Sequence, residues 1–125
     1  MLLNKNIVFE IIDKNFIDDV TDCCEESILR MDEDELSDYF EEYADKACLE
    51  TIYDINVEDY DEEEKDGIQT VEGLLEIAAL INGYADWGDE AEYIGDAEVI
   101  LGFAFSFQID TQTNEAGFFD IAWEY

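Results

Sequence analysis

Carboxylates are the most numerous side chains in this sequence that could take part in catalysis or in metal binding. The chain of 125 residues has 36 Asp and Glu against 5 Lys and Arg, a formal net charge of −31. A pair of carboxylates can act as general acid and base, or can bind a hard cation such as calcium. Here pairs occur along most of the chain, so none is distinguished as a catalytic site. The chain has no histidine, which removes the commonest general base and most transition-metal ligand sets.

Other dedicated sites are not predicted either. A calcium-binding EF-hand loop needs glycine at its sixth position and glutamate at its twelfth. The acidic stretch DYDEEEKDGIQT, which starts at Asp59, has glutamate and threonine there. The adjacent Cys23 and Cys24 match neither a CxxC metal motif nor a nucleophile beside a base, and no glycine-rich phosphate loop is present. We therefore expect a protein that is not an enzyme and has no metal and no cofactor.

The arrangement of the acids is more informative than their number. The stretch DEDELSDYFEEYADKACLE (32–50) has carboxylates every three or four residues beside an apolar stripe, which predicts a helix with a ladder of charge along one face. Lysine usually interleaves with glutamate on a solvated helix, yet Lys46 is the only base between Arg30 and Lys65. A merely solvated face does not explain that exclusion. The acids of this helix predicted to contact a partner are Glu35, Asp38, Glu42 and Asp45.

Two neighbouring segments extend the acidic surface. A helix predicted over 15–31 adds one group of partner-binding acids, and an acidic loop predicted over 57–67 adds another. The helix contributes Asp18, Asp22 and Glu25. The loop contributes Asp59, Asp61, Glu62 and Glu63.

Three helices and three strands are predicted to position these acids. Hydrophobic periodicity predicts helices at 15–31, 33–52 and 70–83 with N-caps at Asn15, Asp32 and Thr70. β-branched and alternating patterns predict strands at 7–12, 98–110 and 117–125, the last two joined by a turn. The expected fold is α+β, with about three helices packed on a small antiparallel sheet. Its element order is β-α-α-α-β-β with a C-terminal β-hairpin, in a single domain spanning 1–125.

The cysteines and the first residues predict a cytoplasmic location. Three cysteines, two of them adjacent, provide no disulfide framework and suit a reducing compartment. The start, MLLNKNIVFEIIDKN, lacks the long apolar run and small-residue cleavage site of a signal peptide, and no membrane span is predicted. A surface this negative is also repelled by anionic lipid and by nucleic acid.

In composition and in the patterning of its acids, the chain resembles the DNA-mimic proteins of phages and mobile elements, which include anti-restriction and anti-CRISPR inhibitors. The resemblance rests on the acid-rich segments 18–26, 33–50 and 57–66, and is a likeness of charge without a shared motif. It implies an inhibitor that occupies the DNA-binding site of a basic host defence protein in the cytoplasm. It further implies no direct binding to nucleic acid or membrane, and allows a homodimer.

Two other interpretations stay open. An immunity protein or antitoxin that neutralises a basic nuclease toxin would use a few acids with exposed aromatic anchors. Tyr60 and Trp87, in acid-rich segments, are the aromatic residues best placed for that role. A chaperone of histone-like basic proteins would bind with broad affinity. An extended acidic surface favours the DNA mimic, whereas a compact patch with aromatic anchors favours the immunity protein.

Overall fold

The computed structural model describes residues 2–87 and 90–124, with the backbone alone described at residues 86, 87 and 90. Its helices are α1 (Lys5–Asn15), α2 (Ile17–Leu29) and α3 (Glu33–Leu36). Its strands are β1 (Lys46–Lys65), β2 (Ile68–Trp87), β3 (Glu90–Asp110) and β4 (Glu115–Glu124). The expected α+β class with an antiparallel sheet is confirmed. The expected order β-α-α-α-β-β is wrong, because the helices precede all the strands.

The sheet is an antiparallel meander in the order β1-β2-β3-β4. β1 pairs along its whole length with Ile68–Tyr84 of β2, and the two strands are joined by Asp66 and Gly67, with φ of 54° and 81°. Positive φ at both positions is what a two-residue type I′ hairpin turn requires. At about 3.3 Å per residue, a strand of this length spans about 60 Å before coiling. β4 is shorter and pairs only with Gly102–Asp110 of β3.

Helices α1 and α2 cover one face of the sheet, which we call the covered face. Phe16, between the two helices, stacks on Phe119 of β4 at 4.6 Å between ring centroids and lies 5.7 Å from the ring of Phe107 of β3. Buried helix residues and alternate strand residues belong to one continuous apolar cluster. On the helices it contains Val8, Ile12, Val20, Cys24 and Ile28. On the two central strands it contains Val71, Leu75, Ile77, Ala79, Ile81, Val99, Leu101, Phe103, Phe105, Phe107 and Ile109.

The first predicted strand and helix have mixed outcomes. Residues 7–12 belong to α1 and not to a strand, because the side chain of Asn4 accepts a hydrogen bond from the backbone N–H of Ile7 and caps a helix that buries one side. The helix predicted over 15–31 is confirmed as α2. Its predicted cap is wrong: Phe16 occupies the N-cap without a side-chain bond, and Asn15 donates to the carbonyl of Ile11.

The helix predicted over 33–52 is wrong beyond its first turn. Asp32 caps α3 as expected, accepting from the backbone N–H of Glu35, but the helix ends at Leu36 and β1 begins at Lys46. β1 contains three bulges, and each inserts one extra residue relative to β2. After each bulge, the next side chain that points toward the covered face comes one residue later in the sequence. The inward residues therefore recur at intervals of three, which imitates helical spacing. They are Leu49, Ile52 and Ile55.

The helix predicted over 70–83 is also wrong, because this segment lies within β2. Its inward side chains alternate, but several outward ones are apolar too, so the run carries no clear period of two. Thr70 caps nothing. Gly83, predicted as a helix stop, lies in β2, where a Cβ would come within 2.6 Å of the ring of Phe40. The C-terminal hairpin is confirmed as β3 and β4, although β3 begins earlier, at Glu90.

Candidate partner-binding surface

The face of the sheet opposite the helices, which we call the open face, has no covering element in the part of the chain that the structure describes. Its side chains alternate with the buried ones, and the strand register places many carboxylates on it. All of these acids except the half-buried Glu76 are exposed. They are Asp54, Asp59, Asp61, Glu63, Glu72, Glu76, Asp96, Glu98, Asp120 and Glu124.

The antiparallel register aligns the open-face side chains in rows that cross all four strands. The first acidic row consists of Asp61, Glu72, Ser106 and Asp120. The apolar row beside it consists of Asp59, Leu74, Ala104 and Ala122. The second acidic row consists of Asn56, Glu76, Gly102 and Glu124. Rows on one face lie two residues apart along the strands, so the two acidic rows are separated by about 13 Å.

The apolar row and the first acidic row line a groove of about 460 Å³. Leu74, Ala104 and Ala122 form its floor. Gly73 allows β2 to approach the bulged part of β1 here, because a Cβ at this position would lie 2.2 Å from the carbonyl oxygen of Asp59. The groove therefore combines small residues in the middle with carboxylates at the sides. The carboxylates are Asp59, Asp61, Glu72 and Asp120.

Two tyrosines lie beside carboxylates near the other end of the open face. The hydroxyl of Tyr93 donates to Asp96, and that bond raises the pKa of Tyr93 to about 12. Burial and the nearby carboxylates of Glu98 and Asp54 raise the pKa of Tyr53 of β1. Both tyrosines remain 53% exposed. The phenol of Tyr93 therefore fixes the direction of the Asp96 carboxylate, and both tyrosines remain accessible to a partner.

The same end contains two further contacts. The rings of Tyr84 and Tyr93 pack edge to face with centroids 5.7 Å apart. The amide nitrogen of Asn82, in the orientation that matches its neighbours, donates to Asp96 of β3 and Glu50 of β1. We call the surface formed by Tyr53, Tyr84, Tyr93, Asp96 and Glu98 the tyrosine patch.

Between the groove and the tyrosine patch, the carboxyl group of Glu76 has a raised pKa. A hydrogen bond with Glu58, the bulge residue of β1, raises the pKa of Glu76, and the nearby carboxylate of Asp54 raises it further. Folding has therefore placed acids closer together than their charges favour.

The predicted helical ladder does not form. Because α3 ends at Leu36, Glu35 lies on that single turn while the other three acids occupy turns and bends before β1. Asp38 and Glu42 are exposed, and Glu35 and Asp45 are half-buried. The acids of α2, namely Asp18, Asp22 and Glu25, are exposed, but they face away from the sheet.

The acidic segment predicted as a loop is the end of β1, and its alternation divides the acids between two faces. Asp59, Asp61 and Glu63 lie on the open face. Glu62 points to the covered side, where its carboxylate accepts from Nε2 of Gln69 at 3.3 Å. Tyr60 is half-buried against the core cluster and also lines the groove.

Sequence reasoning missed most of the open face. The backbone of Trp87 ends β2, and its side chain lies outside the described part of the structure. Strand alternation around the Asp66–Gly67 turn was the signal that could have found the missed residues. They are Glu72, Glu76, Asp96, Glu98 and Asp120.

Comparison with known proteins returns no match: no protein-family model fits this chain, and no curated protein or solved structure is significantly similar to it. Within residues 2–87 and 90–124, no helix is long and apolar enough to cross a bilayer. Over the same residues, no group of three or more Cys, Asp and Glu side chains is arranged to hold a metal ion.

Proposed function

We propose that this protein is a non-enzymatic DNA mimic that occupies the DNA-binding site of a basic host defence protein of restriction or CRISPR type. The observation that carries the proposal is the open face, where the register of four paired strands fixes rows of carboxylates. Acids on a paired sheet are already ordered, so little conformational entropy is lost when a partner binds them.

The cross-strand pairing of the open face favours a function over simple solvation. Asp61 and Glu72 are direct partners in the β1–β2 ladder. Like charges placed directly opposite each other destabilise a sheet, and solubility alone does not require such a pair. Among the described residues, lysines occur on the open face only at its two ends, as Lys46 and Lys65. The interior of this face thus presents negative charge without interruption by a base.

The binding free energy would have the same source as in the binding of DNA. Duplex DNA carries about one negative charge per 1.7 Å of axis, and a protein that binds it gains free energy by releasing counterions. Carboxylates at fixed separations along strands that span about 60 Å can take the place of phosphates over an extended site. Because no phosphodiester backbone is present, a nuclease bound to this surface has nothing to cut.

The tyrosine patch favours a second candidate function. Tyrosine anchors that are half-exposed and hydrogen-bonded to carboxylates are typical of compact interfaces dominated by a few residues. An immunity protein or antitoxin that neutralises a basic nuclease toxin would use such a patch. In that case, truncating a single anchor such as Tyr93 would cost more than about 2 kcal/mol of binding free energy.

A competition assay tests the proposal. Labelled duplex DNA is bound to purified restriction and CRISPR complexes, and the protein is titrated into each mixture at constant salt. We expect displacement of DNA from at least one complex, with neither the DNA nor the protein chemically altered. If DNA and the protein bind every such complex together without interference, the proposal is wrong.

A further inference from the structure

We propose that the groove on the open face binds an α-helix of the partner, and that this helix carries Arg and Lys along both flanks. The inference rests on the proposed function and gives that function a surface and a shape of partner. The groove is uncovered and has an apolar floor. The register places one acidic row on each side of the apolar row that forms this floor.

The dimensions of the rows suit a helix. An α-helix with its side chains is about 10–12 Å across, and the two acidic rows lie about 13 Å apart. A helix laid along the apolar row would therefore have one acidic row on each side. Four strands at about 4.8 Å spacing give the row a length of about 14 Å, which about nine or ten helical residues would span at 1.5 Å each.

The floor permits close approach. Ala104 and Ala122 have short side chains, and Gly102 in the second acidic row has none. Leu74 is 36% exposed and offers the partner helix an apolar contact. A helix with apolar residues at intervals of three and four would place that stripe on the floor.

The sides of the groove select the charge of the occupant. Arg and Lys can lay their aliphatic stems along apolar surface and extend their charged ends outward. On a helix seated here, those ends would reach Asp61, Glu72 and Asp120 on one side and Glu76 and Glu124 on the other. Arginine would in addition form two parallel hydrogen bonds with a carboxylate.

Charge also decides between the occupants that could cover this face. A second copy of the chain would bring another −31 and is disfavoured by repulsion. A basic helix is complementary to the groove and is the element that many DNA-binding proteins insert into the major groove. The groove would then receive the element that otherwise reads DNA.

The first test uses a defined probe and a variant that keeps the charge. The probe is a labelled peptide of about 20 residues, long enough to form a helix alone, with leucines at helical spacing and arginines on both flanks. Ala122→Tyr fills the floor, and Ala91→Tyr places the same side chain at an exposed site near the start of β3. We expect fluorescence anisotropy to show binding about tenfold weaker for Ala122→Tyr and unchanged for Ala91→Tyr.

The second test removes equal charge from two surfaces. One triple variant carries Asp61→Asn, Glu72→Gln and Asp120→Asn, and its matched control carries Asp18→Asn, Asp22→Asn and Glu25→Gln on α2. We expect the open-face triple alone to bind the probe about tenfold more weakly, as the loss of several exposed ion pairs implies. Circular dichroism on each variant confirms that the fold is retained.

Several results would overturn the groove assignment. They are an equal loss of probe affinity in the two triple variants, unchanged probe affinity in Ala122→Tyr, and equal affinity for a peptide of the same composition whose leucines no longer follow helical spacing.

DNA displacement is measured on the same proteins and separates the two proposals. If Ala122→Tyr displaces DNA as well as the wild-type protein does, the groove is wrong and the DNA mimic stands. If the probe data hold but the wild-type protein displaces DNA from no complex, the DNA mimic fails and the groove remains a site for basic helices.

Discussion

The covered and open faces of the sheet are built from the same strands but have opposite compositions. Phe103 of β3 points toward the helices and is 0% exposed, whereas Ile100, three residues earlier, points the other way and is 62% exposed. The covered face buries the apolar side chains of β2 and β3 and partly buries those of the outer strands β1 and β4. The open face carries acids, tyrosines and small residues, together with a few larger apolar side chains such as Ile100 and Leu74. Burial on one face thus supplies the stability that lets the other hold crowded charge.

The difference shows how folding can tolerate the charge on the open face. The Asp61–Glu72 cross-strand pair and the carboxyl group of Glu76, whose pKa is raised by Glu58 and by burial, each oppose folding at neutral pH. The continuous apolar cluster, to which helices and strands contribute, opposes that cost. Changes on the covered face should therefore affect stability, and changes on the open face should mainly affect binding.

The largest expected effect is a loss of stability on the covered face. Phe103→Ala removes a fully buried ring and should lower the free energy of unfolding by about 3–5 kcal/mol. The matched change Ile100→Ala, on an exposed side chain of the same strand, should cost less than about 0.5 kcal/mol. Urea unfolding of the two variants checks both values. Equal losses of unfolding free energy in the two variants would contradict the claim that the covered face supplies the stability.

The next largest effect should be a difference in stability between alanine substitutions at two glycines of neighbouring strands. Gly73→Ala would bring a Cβ to 2.2 Å from the backbone oxygen of Asp59, so β1 or β2 must move, at about 1–3 kcal/mol. At Gly102 a Cβ would meet nothing within 4 Å. Gly102→Ala should therefore leave stability unchanged or raise it by about 0.5–1 kcal/mol. Thermal unfolding measures both, and a tolerated Gly73→Ala would contradict the close approach of the strands.

A smaller effect concerns pH. The raised pKa of Glu76 means that the folded protein binds this proton more tightly than the unfolded chain does. Its contribution to stability is fully present below the ordinary value of 4.5 and is lost as pH rises through the folded pKa. Glu76→Gln should remove this part of the pH dependence.

Unfolding midpoints measured between about pH 4 and pH 7 test this sign. Glu115→Gln, on an exposed glutamate at the start of β4, controls for the loss of one charge. If the Glu76→Gln and wild-type curves run parallel over this range, folding does not raise the pKa of Glu76.

The smallest effects should come from single acids on the helix side. Asp22→Asn on α2 should change the free energy of unfolding by no more than about 0.5 kcal/mol. It should also leave DNA displacement unaltered, because this side chain faces away from the groove.

Raising salt from about 10 to about 300 mM screens the repulsion between all exposed carboxylates and should raise the unfolding temperature of the whole protein. An unfolding temperature indifferent to salt would show that the acids are locally compensated.

Sequence patterns predicted the elements whose periods were undisturbed. The alternation from Val99 to Ile109 predicted the C-terminal hairpin, and the apolar spacing of α2 predicted that helix. β1 was mistaken because its bulges spread the inward residues to intervals of three. β2 was mistaken because residues such as Leu74 and Leu80 add apolar side chains to its outward face. The Asp66–Gly67 pair is a strong hairpin signal and outweighs both patterns.

The candidate surface was harder to predict than the fold, because it depends on register. The acids of 57–63 were identified as a group, but only pairing with β2 shows that Asp61 faces Glu72 while Glu62 points to the covered side. The partners from β3 and β4, including Asp120, lie far along the chain and carry no local signal. A row across four strands becomes visible only when every pairing is known.

The salt dependence of target binding tests most directly the claim that open-face carboxylates replace phosphates. Affinity for a displaced defence complex is measured across salt concentrations for the wild-type protein, the open-face triple and the α2 triple. A clear negative slope of log affinity against log salt is expected for the wild-type protein. The open-face triple should flatten that slope by about one unit or less for each lost contact, whereas the α2 triple should keep it. A wild-type slope near zero, or a slope flattened only by the α2 triple, would contradict the account.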